Sequence, residues 1–437
     1  MKLRNYNIEF MLDIKYIREN KDAVKKNCEL RNIQCDIDRL LELDEKRRKL
    51  IGEIGEIREE RNKLAHGIKI KDEIKLSESM EITVTRGKEF KEKLLKFEPE
   101  LEGIEKEYRK IIHMVPNMTH LGSPIGKDDS ENKEIERYGE PPKFDFEPKG
   151  HEELMKDLDL IDFERGAKVA GAKFYFLKNE AVLLEQALIN YALDICLQEK
   201  FTPFTTPDLA KDSILLGVGF NPRGEETQIY SVENTDLNLV GTAEITMGGY
   251  HMDEMIDEEK LPLKYVAFSH CFRTEAGSYG RHSAGLYRVH QFSKVEMFAY
   301  TLPEKSEEMH AYFKEMEVKI FKGLGIPFRV VDICTGDLGG PAYRKYDLEA
   351  WMTSRNDWGE VTSTSDTTDY QARRLNIKVK RADGKKEYLH MLNGTAIATS
   401  RALIAIIENG QQADGSVVIP EILRKYMPGN INLISKK

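Results

Sequence analysis

Eight apolar residues, Phe90, Leu94, Phe97, Leu101, Ile104, Tyr108, Ile111 and Val115, stand alternately four and three positions apart. That spacing places them along one stripe of an α-helix and fits no other regular element. A shorter stripe precedes it at Leu50, Ile54, Ile57 and Leu64, with Arg61 in the intervening seam position. Gly67 and a polar stretch separate the two. A seam, a break and a second seam read as an antiparallel helical hairpin, in which roughly thirty residues of helix reach about 45 Å. A coiled coil between two copies of the chain satisfies the same periodicity. Pro99 falls inside the second stripe, where it is expected to kink or interrupt the helix.

Residues 1–118 thus differ from the rest of the 437-residue chain. Segment 113–132 is a polar linker; its "GSPIGK" is one residue short of a phosphate-binding loop, and Asp128 stands where a hydroxyl is needed. From about residue 150 the pattern mixes helices and strands without regular βαβ alternation. "LLEQALINYALDICLQEKF" is an amphipathic helix, whereas "LKYVAFSHCFRTE", "RVHQFSKVEMFAY", "FRVVDICTGD" and "GEVTSTS" read as strands. The expectation is α+β: an antiparallel sheet with helices on one face. The net charge of −9 means that any contact with nucleic acid must be a local patch. The five cysteines form no C-x-x-C pair and are expected to be free thiols in a reducing cytoplasm. Neither a signal-type segment nor a membrane-spanning apolar run is evident.

Candidate chemistry gathers in four segments. If the strands ending at Glu275 and beginning at Arg288 pair, one face holds Arg273, Glu275, Arg288, Phe292 and Glu296. An aromatic ring flanked by guanidiniums suits a purine and its phosphates; a ladder of cross-strand ion pairs explains the same residues equally well. In "LNGTAIATSRALIAIIENGQQ", small residues at Gly394, Thr395, Ala396 and Ala398 would let a helix start approach a ligand, with Arg401 reaching an anion. The alternative is a buried helix with one snorkelling arginine. Glu360 and Ser363 are oxygen donors suited to a hard cation, although strict strand alternation puts them on opposite faces unless the strand bulges. Thr242 and Glu244, on an expected strand edge, suit an amino acid's ammonium.

These segments, in this order, closely resemble the seryl-tRNA synthetases, a family of class II aminoacyl-tRNA synthetases. "TTPDL" resembles the family's dimer motif, "FRTEAGS" through "RVHQFSKVE" its second motif and "LNGTAIATSRALIAIIEN" its third. "TAE", "CTGDLG", "YDLEAW", "DYQARR" and "DGSVVIPEILRKYM" are further family-like text. The resemblance implies an extension at 1–10, a helical tRNA-binding arm at 11–118 and a class II catalytic domain at 119–437. It implies cytoplasmic, homodimeric activation of L-serine by ATP with Mg²⁺, and transfer to tRNA-Ser, with tRNA-Sec as a further acceptor.

By resemblance, Arg273 and Arg401 carry catalysis, on the α- and γ-phosphates. The ATP-binding set is Arg273, Thr274, Glu275, Arg288, Val289, Phe292, Glu360, Val361, Thr362, Ser363 and Arg401. Within it Phe292 stacks on adenine, and Glu360 and Ser363 hold Mg²⁺. Thr242, Ala243, Glu244, Glu296 and Thr395 bind serine. Thr395 replaces the family's usual serine, and "RHSAGL" lacks an arginine at Ala284. Synthetases for threonine or proline lack the N-terminal hairpin. The alternative is an altered paralogue that binds RNA in regulation or aminoacylates a carrier protein.

Overall fold

The computed structural model describes residues 12–70, 78–221, 228–276 and 285–436, with 65–70 and 78–84 entering as backbone only. The chain divides into two compact units, one ending at Pro116 and the other running from Asn117.

The first unit is helical. Two short helices, α1 (Ile14–Glu19) and α2 (Lys21–Leu30), precede α3 (Ile37–Ile70) and α4 (Glu78–Met114). Asp13 starts α1, its carboxylate accepting the Lys15 amide at 2.8 Å. Ile54, Ile57, Phe90 and Leu94 form a buried cluster, with Leu64, Phe97 and Leu101 packed beside it. Ion pairs give the direction: Arg39 meets Glu107, Arg47 meets Glu105 and Arg58 meets Glu98. One partner's number rises as the other falls, so α3 and α4 are an antiparallel hairpin within one chain.

Two details of the seam differ from expectation. Ile112 is buried where Ile111 was expected, because a straight helix drifts about 20° per heptad against a 3.5-residue repeat. Pro99 is exposed and α4 runs on through it. Phe97 and Leu101, on either side of Pro99, both pack in the seam, and that burial offsets the lost backbone hydrogen bond.

The second unit is built on eight strands: β1 (Lys133–Tyr138), β2 (Thr202–Thr205), β3 (Leu263–Phe272), β4 (Gln291–Thr301), β5 (Phe328–Asp332), β6 (Arg344–Met352), β7 (Asp357–Asp366) and β8 (His390–Ala398). Their spatial order is β1-β5-β6-β7-β8-β4-β3-β2. Neighbours are antiparallel except β2 and β3. Seven helices concern the site: α5 (His151–Asp157), α6 (Glu180–Gln198), α7 (Asp212–Val218), α8 (Ala243–Gly249), α9 (Ser306–Leu324), α10 (Tyr370–Leu375) and α11 (Thr399–Asn409).

The α+β class holds, but the sheet is covered on both faces. Along β4, Val295, Met297 and Ala299 join a large core with residues of α5, α6, α9 and α11. Phe298 and Tyr300 join a second core with residues of α7, α8 and α10. β4 is accordingly buried along its whole length after Gln291, as a doubly covered strand requires. From Tyr300 back towards Phe292, the second face changes from core to the charged pair Glu296 and Lys294. Among the described residues no helix is long and apolar enough to cross a membrane.

Candidate active site

Two extra residues in the sheet shape the site. Leu348 pairs with Thr362 and Glu349 with Glu360, which leaves Val361 as a bulge in β7. Thr395 pairs with Glu296 and Ile397 with Val295, which leaves Ala396 as a bulge in β8. The first bulge removes the conflict over Glu360 and Ser363, because one added residue reverses the alternation between them. Thr362 points the other way, its hydroxyl donating to Glu317 of α9 at 3.0 Å. Glu360 and Ser363 therefore share the opposite face. The second bulge lies in a segment expected to begin a helix. Gly394–Ala398 is strand instead, paired with β7 and β4, and the helix starts at Thr399. Small side chains serve sheet packing here: a Cβ on Gly394 would meet Thr364 at 3.0 Å and Phe313 at 3.1 Å.

A cleft is lined by Arg273, Glu275, Val289, Phe292, Glu360, Val361, Thr362, Thr395 and Arg401 from the expected set. Strand β3 ends at Phe272, so Arg273 and Glu275 lie beyond it; of the expected cross-strand ion pairs, Glu275 with Arg288 forms. The Arg273 guanidinium carbon is 5.3 Å from the centre of the Phe292 ring. Its Nε donates to the Gly241 carbonyl at 3.3 Å. Glu275, in the left-handed region at φ 50°, accepts from Arg288 at 3.2 Å. Thr274 faces this strand end through its backbone, its amide donating to Gln228 at 3.1 Å.

Arg401 is the third residue of α11 and is held from β7. Its Nη1 donates to the Glu360 carbonyl at 3.0 Å and lies 3.1 Å from the carboxylate. Burial opposes charge on Glu360, but Arg401, Lys345 and Arg273 outweigh it and hold the carboxyl well below the usual range. A carboxylate that remains ionised suits a divalent cation carrying phosphate oxygens; Ser363 shares its face of the strand but is not among the residues lining the cleft.

A second polar group adjoins the cleft. Glu296 is 2% exposed, 2.7 Å from Lys294 Nζ, and accepts the Thr395 hydroxyl at 3.1 Å. Thr242 and Glu244 are not on a strand edge. Thr242 caps α8, accepting the Glu244 amide at 3.2 Å, and Glu244 lies in its first turn. Thr with an acid two residues on is a helix-start signal. Ala243 is buried in the second core. Glu244 accepts Gln371 Nε2 at 2.8 Å. Its burial and the nearby Glu296 push its carboxyl up to about 7, against the pull of Gln371, Lys294 and Arg273.

Lys294, Tyr287 and Ser400 also line the cleft and were absent from the expected set. Lys294 shares the face of Phe292 and Glu296 by simple alternation, so the sequence carried its signal. Of the basic arm positions that could follow an RNA backbone, Lys69, Lys71, Lys75, Lys88, Lys91 and Lys93, the first three side chains lie outside the described residues, as do residues 1–10 and the loop 277–284 with Ala284.

An antiparallel sheet bearing an arginine at one strand end, an aromatic beneath it and a second arginine at a helix start defines a class II aminoacyl-tRNA synthetase core. The family model "tRNA synthetase class II core domain (G, H, P, S and T)" matches residues 229–410, and "Seryl-tRNA synthetase N-terminal domain" matches residues 11–119. The chain belongs to the seryl-tRNA synthetase family. The serine–tRNA ligase of Treponema denticola is 57% identical over 95% of this chain and 98% of its own. That of Dictyoglomus thermophilum is 56% identical over the same shares. The solved seryl-tRNA synthetase of Pyrococcus horikoshii, complexed with ATP, superposes with a TM-score of 0.86 at 40% identity, covering 98% of this chain and 100% of that one.

Proposed function

We propose that the cleft of the second unit joins L-serine to AMP from ATP and passes the seryl group to the 3′ end of tRNA-Ser. The observation that carries this reading is the convergence of Arg273, Phe292, Glu360 and Arg401 in one cleft, adjoining the buried Glu296–Thr395 pair. Phe292 offers its face to adenine, Arg273 meets the α-phosphate and Arg401 the γ-phosphate. Thr274, Glu275, Arg288, Val289, Val361 and Thr362 complete the nucleotide's surroundings. Glu360 and Ser363 would hold a Mg²⁺ ion, which supplies charge neutralisation to the phosphates. Glu296 and Thr395 receive serine, with Thr242, Ala243 and Glu244 forming the adjoining wall.

The chemistry follows from charge. The serine carboxylate is ionised at neutral pH and attacks the α-phosphorus without a general base. A bond forms from carboxylate oxygen to phosphorus, and pyrophosphate leaves with the bonding pair. Catalysis is positioning and stabilisation of negative charge, which the two arginines provide. A ribose hydroxyl of the terminal adenosine then attacks the acyl carbon and AMP leaves. A pocket that pairs the serine hydroxyl rejects alanine because buried partners would be left unpaired.

The tRNA is held by the first unit, where Lys88, Lys91 and Lys93 are exposed on α4. Two copies associate through the family's dimer motif around Pro207. Support comes from the neighbouring edge strand β2 and from Leu197 and Leu209, which are 47% and 38% exposed. We place the protein in the cytoplasm, with its five free cysteines. Pyrophosphate exchange with each amino acid, followed by charging of tRNA-Ser, tests the whole reading. Serine-dependent exchange and charging are expected; exchange with another amino acid, or none, refutes it.

A further inference from the structure

We infer that His151 and Glu408 are positioning residues for the nucleotide side of the cleft, acting through Leu286 and Tyr287; this rests on the ATP reading above. His151 opens α5 and Glu408 lies near the end of α11, with side chains 10% and 0% exposed. The Leu286 amide donates to His151 Nε2 at 3.2 Å. An amide N–H can only donate, so Nε2 carries no proton and Nδ1 does. Nδ1 lies 2.8 Å from Glu408 Oε1 and donates to it. Glu408 also accepts the His151 amide at 3.0 Å, the Ser354 amide at 2.9 Å and the Ser354 hydroxyl at 2.7 Å. Every neighbour is a donor, so this position requires two acceptor oxygens. At Gly285, with φ 60°, an added Cβ would fall 2.1 Å from Nε2, so the chain passes the imidazole as closely as only glycine allows.

Leu286 hands this geometry to its neighbour. The Tyr287 hydroxyl donates to the Glu360 carbonyl at 3.4 Å, and Arg401 donates to the same oxygen at 3.0 Å. The Arg401 guanidinium carbon lies 4.7 Å from the centre of the Tyr287 ring. Glu408 follows Arg401 on the same helix, about two turns on. One buried imidazole–carboxylate pair therefore fixes both the helix that carries Arg401 and the backbone that carries the ring beneath it. Neither residue lines the cleft; both set the pose of residues that do.

Two variants separate positioning from bulk stability. His151→Gln keeps an acceptor near Nε2, whereas His151→Asn keeps a donor near Nδ1 and leaves the Leu286 amide unmatched. In pyrophosphate exchange His151→Asn should raise the KM for ATP about tenfold, the worth of one buried hydrogen bond. The KM for serine should stay within about twofold, and His151→Gln should restore the ATP value to within about twofold. Equal effects of the two variants, parallel rises for ATP and serine, or an unchanged ATP KM in His151→Asn would overturn the inference. Should His151→Asn fail to fold, Gly285→Ala, whose Cβ would fall 2.1 Å from Nε2, displaces the same backbone and must weaken ATP selectively; no change overturns the inference. Equilibrium titration with ATP alone, without amino acid, carries the same comparison. If wild type shows no serine exchange, the functional reading fails while this test still runs.

Discussion

Lys294→Met isolates the buried ion pair at the serine end of the cleft. Lys294 and Glu296 are 8% and 2% exposed and 2.7 Å apart, and the substitution keeps the apolar stem while deleting the ammonium. Glu296 then retains the Thr395 hydroxyl at 3.1 Å but loses its counter-charge. Breaking a buried pair from one side costs about 3–5 kcal/mol, because a desolvated charge is left uncompensated. The high burial of both groups gives no reason to discount that range for screening. Replacing both members leaves no orphaned charge, so Lys294→Met/Glu296→Gln should recover most of the stability while losing serine-dependent exchange. Serine carries an ammonium of its own, so saturating serine should stabilise the single variant more than the wild type. Denaturant unfolding of the four proteins of this cycle, with and without serine, measures each term. A single variant as stable as the wild type, with an unchanged KM for serine, would refute the reasoning, since Glu296 would then be solvated or paired elsewhere.

Three further outcomes are expected. Arg273→Ala should lower adenylate formation by about 10²–10³-fold while leaving tRNA binding intact in a filter assay; equal loss of both would mean that the site is misplaced. The Glu244 carboxyl is raised to about 7 by burial and by Glu296, so the folded state holds a proton that the unfolded chain releases at lower pH. Its contribution to stability is therefore present below the unfolded value and is lost as pH rises towards about 7. Relative to the wild type, Glu244→Gln should flatten that fall by on the order of 2 kcal/mol, read from urea midpoints between about pH 4.5 and 7.5. Replacing Lys88, Lys91 and Lys93 by alanine should raise the KM for tRNA about tenfold and reduce its salt dependence, with pyrophosphate exchange unchanged.

The hairpin was legible because a 4-3 repeat admits one element, and its ion pairs then decided between one chain and two. The strands β3, β4, β5 and β7 were legible from their composition. The second covered face was not, because runs such as "FSKVEMFAY" fit both a doubly buried strand and a half-buried one with an irregular pattern. Segment 392–398 was read as running into a helix because it leads directly into α11. Pairing with strands on both sides decided otherwise, and pairing is not written in local sequence. The clash between Glu360 and Ser363 pointed to a bulge, and Val361 supplies it. Lys294 was visible by alternation on the face of Phe292 and Glu296, but nothing local in the sequence assigned it a role. The His151–Glu408 contact spans 257 residues and leaves no local trace.

Both extra residues, Val361 and Ala396, act as phase shifts in neighbouring strands. Deleting one would do more than shorten a segment by a single amino acid. Every side chain past that point would turn over, trading oxygen donors for threonines and aliphatics meant for the helical layer below. Chain length at these two places is therefore as constrained as residue identity, and drift by insertion or deletion has to be absorbed in the connecting loops.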